Sequence, residues 1–207
     1  MYIPAARRPG AAIERYFGRE IPWRGLPALG RSAQKSARPA LAAHRHPNGV
    51  EICRIERGAV DWFLDDRAVT LQAGDLFFTP AGAWHGNAQG VMQPCELRWV
   101  QVDPRWLGDK SLSARLKAVR AVAWPDRDGL DRPHELLLAE CRRPRADSPA
   151  FLRAVVMEIL LSVVRQAEAL PEPSVVPPAA PAASAASAAP SPPASGAVLT
   201  PAGARRE

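Results

Sequence analysis

The sequence lacks the features that mark secreted or membrane-spanning proteins. Its 207 residues contain only three cysteines, Cys53, Cys95 and Cys141, an odd number and far apart. They form neither a disulfide framework nor a CxxC motif, and reduced cytoplasmic thiols are the plain interpretation. No apolar stretch reaches the length of a membrane span. No apolar run follows Arg7 and Arg8, which argues against a secretory signal.

The sequence also lacks a concentrated patch of charge, although its formal net charge is +6. A basic balance can indicate affinity for nucleic acid. Here the arginines are scattered, and no basic helix is interleaved with aromatic residues. We attribute the charge to the Arg-, Ala- and Pro-rich composition typical of GC-rich genomes. We therefore expect no direct DNA binding by this chain and no membrane association.

What the sequence does contain is a run of short β-strand patterns between residues 41 and 102. Segments that alternate or run apolar are separated by turn residues such as Pro47-Asn48-Gly49 and Pro80-Ala81-Gly82. This pattern predicts strands at residues 41–46, 51–57, 60–64, 68–72, 76–79 and 95–102. Short strands with close turns indicate an antiparallel barrel or sandwich, here assigned to residues 41–105.

The rest of the chain divides into an arm, a helical segment and a tail. Residues 1–40 show no sustained period and are interpreted as a partly irregular arm, laid over the barrel through Tyr16, Phe17, Ile21 and Trp23. Residues 106–170 have helical periods, with helices predicted at 111–123, 133–141 and 148–170. Residues 171–207 are mainly Pro, Ala and Ser with few large side chains, which predicts disorder.

The strongest helix prediction begins at Ser148, which could cap the helix, with Pro149 in its first turn. A broad apolar stripe follows at positions 151, 152, 155, 156, 159, 160, 163 and 164. A stripe of this width must be buried against the barrel, a partner helix or a second subunit. Its breadth and terminal position favour a dimer.

Two segments of the predicted barrel carry histidines and a glutamate. His44 and His46 lie two residues apart, so on a strand both would point to the same face. The turn at residues 47–49 would then let Glu51 on the next strand reach the same point. In the second segment a strand ends at the Pro/Gly turn of residues 80–82, and His85 follows it. The two segments are expected to share one interior.

These segments resemble the two motifs of the cupin superfamily. The spacing HxHx4Ex6G from His44 to Gly58 resembles the first motif, and Gx5PxGxxH from Gly74 to His85 resembles the second. Arg38 stands where a glycine is expected before the first motif. Gln89 stands where an asparagine closes the second, with Asn87 close by. The resemblance implies a mostly β fold: a cupin double-stranded β-helix, or jelly-roll barrel, followed by two to three α-helices and a disordered tail.

The same resemblance implies a metal site. In cupins, the residues that match His44, His46, Glu51 and His85 hold a divalent metal. Three imidazoles and one carboxylate suit Zn, Fe, Mn, Ni or Cu, with open positions for water or substrate. The alternative is that these residues are pocket polar groups, hydrogen-bonded to each other, to water or to an organic ligand. Both alternatives stay open at this point.

A wider resemblance narrows the function. The runs 51–58, 74–85 and 96–102 are similar to the sensing domain of AraC-type transcription regulators, over about residues 41–170. The resemblance implies a cytoplasmic, non-enzymatic sensor of a small molecule, often a sugar. It also implies a homodimer, or a mixed dimer with a related regulator. Where the family's DNA-reading helices would follow, the sequence has the Pro/Ala/Ser tail, and we expect no recognition helix there.

Two other functions compete with the sensor. One is a metal-dependent cupin enzyme of the dioxygenase, isomerase or decarboxylase type, and the other is a dimerising interaction module with a vestigial pocket.

Trp62, Trp84 and Trp99 could stack on a sugar ring, or could simply pack in the core or over the barrel.

Three further residues have plainer interpretations. Arg54 is expected at the surface, because strand alternation places it opposite Glu51. Cys53 shares the Glu51 face and is interpreted as a small core residue. His134 is expected at the surface of a helix.

Overall fold

Ten strands and three α-helices make up residues 13–171, the part of the chain that the computed structural model describes. The strands are β1 (Ile13–Phe17), β2 (Ala28–Gln34), β3 (Arg38–Pro39), β4 (Val50–Leu64), β5 (Arg67–Gln72), β6 (Asp75–Thr79), β7 (His85–Asn87), β8 (Val91–Met92), β9 (Cys95–Val102) and β10 (Ala123–Pro125). The helices are α1 (Lys110–Ala118), α2 (Asp131–Arg142) and α3 (Ser148–Glu168). Residues 1–12 of the predicted arm and 172–207 of the predicted tail lie outside the described residues.

An eight-stranded antiparallel sheet dominates this region. Its strands run in the order β1-β2-β9-β4-β6-β10, and β5 and β7 also pair with β4. Strands β3 and β8 form a separate two-stranded ladder. The prediction of a mostly β fold followed by helices is confirmed.

The two faces of the sheet pack against different neighbours. Side chains alternate along a strand, and directly paired residues share a face. Ile52 and its cross-strand partners Phe78 and Val100 therefore face the helices and belong to the core that α1, α2 and α3 complete. Cys53 and its partner Phe77 face the other way, into the barrel interior. The helices thus cover the outside of the barrel.

Strand β4 continues through the glycine that was predicted to divide it into two strands. Gly58 has a φ of +77°, and the pairing of β4 with β9 shifts register between Ile55 and Arg57. Before this point β4 pairs with β6 and β9, and after it with β5 and β7. Because a bulge and a left-handed glycine both bend a strand, Gly58 marks a corner in β4.

Replacing this corner glycine with alanine should be costly. A Cβ at Gly58 would lie 2.6 Å from the Pro94 carbonyl oxygen and 3.2 Å from Cys95 Cα, and backbone atoms cannot rotate away. Alanine would also be strained at this positive φ. Because the clash and the strain both destabilise the folded state, we expect Gly58→Ala to lower the free energy of unfolding by about 3 kcal/mol in urea titrations. Gly74→Ala is the matched control, because Gly74 has a φ of +94° but no atom within 4 Å of its Cβ position. If the two variants lose the same free energy of unfolding, a steric clash at Gly58 is not the cause.

Strand β2 lies in the segment that was predicted to be a partly irregular arm. Residues 28–34 form an inner strand between β1 and β9, which the sequence interpretation did not identify. The segment reads Ala-Leu-Gly-Arg-Ser-Ala-Gln, and these small residues hide the alternation on which the strand prediction depends. Tyr16 and Ile21 of the same predicted arm are buried in the helix-side core, whereas Phe17 is exposed.

The apolar stripe of α3 packs against other parts of the same chain. Seven of its predicted positions are buried in the helix-side core: Leu152, Val155, Val156, Ile159, Leu160, Val163 and Val164. The stripe therefore gives no reason of its own to expect a second subunit, and the dimer stays a prediction. Among residues 13–171, no helix is both long and apolar enough to cross a bilayer.

A charged layer between the sheet and α2 corrects two surface predictions. Arg54 does lie opposite Glu51, but this face is covered, and its guanidinium pairs with Asp126 and Asp131, each at 2.8 Å. His134 is buried, and its Nε2–H donates to the Trp99 carbonyl at 3.2 Å. Alternation alone could not show that α2 would dock on this face. Burial, with a smaller contribution from Arg98, lowers the pKa of His134 to about 4.

This buried histidine should make the protein less stable in acid. The unfolded chain binds a proton at this imidazole near pH 6.5, whereas the folded chain binds it only near pH 4. Folding free energy is therefore lost as the pH falls through this window, by about 3 kcal/mol at pH 4 relative to pH 7.5. Urea titrations of wild type and His134→Gln at both pH values test this. A wild-type-minus-variant difference that does not change with pH would contradict it.

Candidate metal centre

The structure brings together the four residues in which the sequence predicted a site. One ligand atom from each of His44, His46, Glu51 and His85 lies within 4.8 Å of all the others. The predicted strand at residues 41–46 is absent, and His44 is held instead by a single antiparallel bridge to His85. The two backbone hydrogen bonds of that bridge measure 3.0 and 2.9 Å.

The corner in β4 explains how distant parts of the chain meet here. His85 pairs with Leu64 near the end of β4, and its Nε2 also lies 3.7 Å from a carboxylate oxygen of Glu51 near the start. A straight strand would separate those two β4 residues by about 43 Å. The bend at Gly58 therefore brings both ends of β4 to the same histidine.

Two loops hold the His46 backbone in place. The turn after His46 is closed by a hydrogen bond from the Gly49 amide to the His46 carbonyl, at 3.3 Å. The Gly82 amide donates to the same carbonyl at 2.9 Å, and Gly82 has a φ of +84°. The Pro/Gly turn before His85 is thus tied directly to the loop that carries His46.

Backbone carbonyls orient two of the imidazoles. Nδ1 of His44 lies 2.9 Å from the Ala42 oxygen, and Nδ1 of His85 lies 3.2 Å from the Ala83 oxygen. Because a carbonyl only accepts, Nδ1 carries the hydrogen in both rings and the lone pair is on Nε2. Such contacts fix the tautomer of metal-binding histidines. Nε2 of His85 is buried and has no hydrogen-bond partner among the described residues.

The protonation states also suit a metal. Burial alone would raise the pKa of Glu51, but the hydrogen bond from His46 Nε2 at 2.9 Å and the nearby His85 lower it to about 2. Burial lowers the pKa of His44. At neutral pH Glu51 is therefore anionic and His44 neutral, as metal ligation requires.

The donor set fits a divalent transition metal. Three imidazole nitrogens and one carboxylate converge, and this combination suits Mn, Fe, Ni or Zn. Hydrogen bonding within the cluster does not satisfy it, because Nε2 of His85 stays without a partner. The cluster could therefore hold a divalent metal.

Two polar residues beside the cluster were missed by the sequence interpretation. Thr79 in β6 and Gln101 in β9 are the direct cross-strand partners of Glu51. Thr79 is buried, and its Oγ1 has no hydrogen-bond partner within residues 13–171. Gln101 lines a cleft of about 220 Å³ together with His46. Alternation from Phe77 could have identified Thr79, but Gln101 required the β4–β9 register.

Of the three tryptophans proposed for ligand stacking, Trp62 and Trp99 belong to the hydrophobic cluster of the barrel interior, whereas Trp84 is exposed. Trp62 is buried and meets Phe77 edge-on, with ring centroids 6.0 Å apart. Trp84 is 47% exposed, with the Arg45 guanidinium 5.1 Å from its ring centroid. Trp99 is half-buried and packs over Gly30. In the described part of the chain, no ring contact joins any two of them.

A mostly β barrel with three histidines and one glutamate gathered at one point is a cupin, as the motif spacing implied. A model of the AraC-like ligand binding domain matches residues 27–160 of the 207-residue chain. This match spans more than half of the sequence, and the chain belongs to that family. No curated protein matches the sequence significantly.

Several solved structures are similar to this chain at low identity. Oxalate decarboxylase of Bacillus subtilis is 20% identical over 44% of this chain and 25% of its own, with a TM-score of 0.36. A cupin protein from Bacteroides fragilis is 18% identical over 37% of this chain and 64% of its own, with a TM-score of 0.32. A protein described as a predicted oxalate decarboxylase, from Thermotoga maritima, is 20% identical over 44% and 91%, with a TM-score of 0.30. This chain spans only a quarter of the Bacillus protein.

Proposed function

We propose that this chain senses a small polar molecule at a metal held by His44, His46, Glu51 and His85, and that the sensing serves transcription regulation. The observation that carries the proposal is the convergence of four ligand atoms within 4.8 Å in a member of the AraC-like ligand-binding family. A bound divalent metal would supply open coordination positions for oxygen atoms of the ligand.

The surrounding residues would orient that ligand. The Thr79 hydroxyl and the Gln101 amide flank Glu51 on its two neighbouring strands, and both side chains can hydrogen-bond a polar group. The proposal relies on these polar side chains and not on stacking by the tryptophans, no two of which are in ring contact within the described residues.

The second candidate is a metal-dependent cupin enzyme of the dioxygenase, isomerase or decarboxylase type. The complete donor set favours it. Proton transfer would need a further acid or base beside the cluster. Asp103, the carboxylate that lines the same cleft, is tied to Arg105 by hydrogen bonds of 2.7 and 2.9 Å. We therefore rank sensing above catalysis.

A dimer in the cytoplasm, formed with a second copy or with a related regulator, remains part of the proposal. It rests on the family alone, because the α3 stripe is buried within this chain. Sedimentation at several protein concentrations tests it, and a mass that stays monomeric throughout would rule out the homodimer.

Thermal-shift titration of the full chain tests the sensing function. Mn²⁺, Fe²⁺, Ni²⁺ and Zn²⁺ are tested first, followed by sugars and organic acids with the stabilising metal present. A sensor should be stabilised by metal and further by one ligand class that is recovered unchanged, whereas an enzyme should convert it. Stabilisation by no metal and no ligand would overturn the proposal.

A further inference from the structure

A cleft leads from the cluster to helix α1. The part next to the cluster has a volume of about 220 Å³ and is lined by His46, Gln101 and Arg105. A neighbouring part of about 450 Å³ extends between the barrel mouth and α1, where Lys117 lines it. Both parts share Pro47, Asn48 and Arg105. One occupant could therefore reach from the cluster to α1.

Arg105 and Lys117 bring positive charge to the cleft. Nε and Nη2 of Arg105 donate to the buried carboxylate of Asp103, which holds the guanidinium in place. Nη1 has no hydrogen-bond partner among residues 13–171, and the Arg105 side chain is 65% exposed. Lys117 is exposed and lines the part of the cleft next to α1, and Asp103 is the sole acidic residue among those lining the two parts. Its charge is balanced by Arg105, so Lys117 leaves the cleft net positive.

The cluster end would attract an anion as well. Imidazole binds a metal in its neutral form, so a divalent ion held by the three histidines and the Glu51 carboxylate would carry one net positive charge. An anionic group at this end would neutralise it, and a second anionic group would face Arg105 and Lys117. An uncharged molecule would leave both positive ends unpaired.

We propose that the cleft binds a small dicarboxylate, with one carboxylate beside His46 and the other between Arg105 and Lys117. This inference rests on the proposed metal-centred ligand site and specifies the class of its ligand. Because Lys117 belongs to α1, the ligand would contact the barrel and a helix at once. Arg115 of the same helix pairs with Glu168 of α3 at 2.8 Å, so the contact would extend to α3.

Isothermal titration of the Mn²⁺-treated full chain with succinate, and with acetate for comparison, tests the cleft. Succinate should bind more tightly than acetate. Lys117→Glu should weaken succinate binding about fivefold and leave acetate binding unchanged, as expected for reversal of one exposed charge. Arg105→Gln should act in the same direction. Lys35→Glu is the matched control, because Lys35 is exposed and lines neither part of the cleft.

The outcomes separate this inference from the proposed function. Succinate affinity that is unchanged in both Lys117→Glu and Arg105→Gln would overturn the cleft and leave a measured Mn²⁺ site intact. If the chain binds Mn²⁺ but no succinate, the cleft proposal is also wrong and the Mn²⁺ site is retained. Succinate binding that is sensitive to Lys117→Glu in a chain that binds no metal would support the cleft and overturn the metal-centred site. If the chain binds neither Mn²⁺ nor succinate, the metal-centred site and the dicarboxylate cleft are both wrong.

Discussion

Replacing His46 with alanine is expected to lower the affinity for Mn²⁺ by at least about a hundredfold, because even losing a group that only orients a ligand costs up to that much. The imidazole is one of four converging donors, and its Nε2 also holds the Glu51 carboxylate at 2.9 Å. Metal content of the chain, purified without a histidine tag and without chelator, gives the readout. Near-stoichiometric metal in the wild type should fall to none in the variant.

Paired glutamate variants serve as the control for this expectation. Glu51→Gln removes the charged donor and should also lose the metal. Glu96→Gln makes the same change at a partly exposed residue, whose nearest ion-pair partner is Arg57 at 3.8 Å. It should keep the wild-type metal content. Metal retained by His46→Ala, or lost by Glu96→Gln, would show that the metal is bound elsewhere.

The second large effect is expected at Glu14, which ties β1 to α2. Its buried carboxylate accepts two hydrogen bonds from Arg142, at 2.6 and 2.7 Å, and lies 3.3 Å from Arg31. Burial raises the pKa of Glu14, but these arginines outweigh it and lower the pKa. Glu14→Gln would leave a largely buried Arg142 without its main counter-charge. We expect a loss of about 3–5 kcal/mol in the free energy of unfolding.

A double variant distinguishes a lost ion pair from lost packing. Replacing both partners, as in Glu14→Leu with Arg142→Leu, removes the ion pair as a whole, while Arg31 keeps Glu135 at 3.3 Å. The double variant should recover most of the stability lost in Glu14→Gln. The measurement is the urea midpoint of each variant. If Glu14→Gln costs less than about 1 kcal/mol, the pair behaves like an exposed salt bridge and the expectation is wrong.

The metal-type residues could be predicted from sequence because they lie in two short segments with fixed turns. The positive φ of Gly82 and the closed turn after His46 are local properties that spacing encodes. Strand alternation does not explain how His44 and His46 converge. Residues 41–46 are not a strand, and His44 reaches the cluster through its single bridge to His85.

The residues that were missed depend on contacts between distant parts of the chain. β2 lacks an apolar alternation and is identified only by its ladders to β1 and β9. Arg54 and His134 become buried because α2 docks on the outer face of the sheet. Gln101 becomes a neighbour of Glu51 through the β4–β9 register. No local pattern specifies which helix covers a face or which strands pair across it.

The corner in β4 also limits how proteins of this type can change length in evolution. Between Glu51 and Gly58, alternate residues such as Cys53 point into the barrel while Arg54 points to the helices. A single inserted residue would reverse these faces on one side of the insertion and turn Glu51 away from the histidines. The bend at residues 88–90 is free of this constraint, since a Cβ at Gly90 would meet no atom within 4 Å. Insertions among related chains should therefore accumulate at that bend and spare the spacing from Glu51 to Gly58.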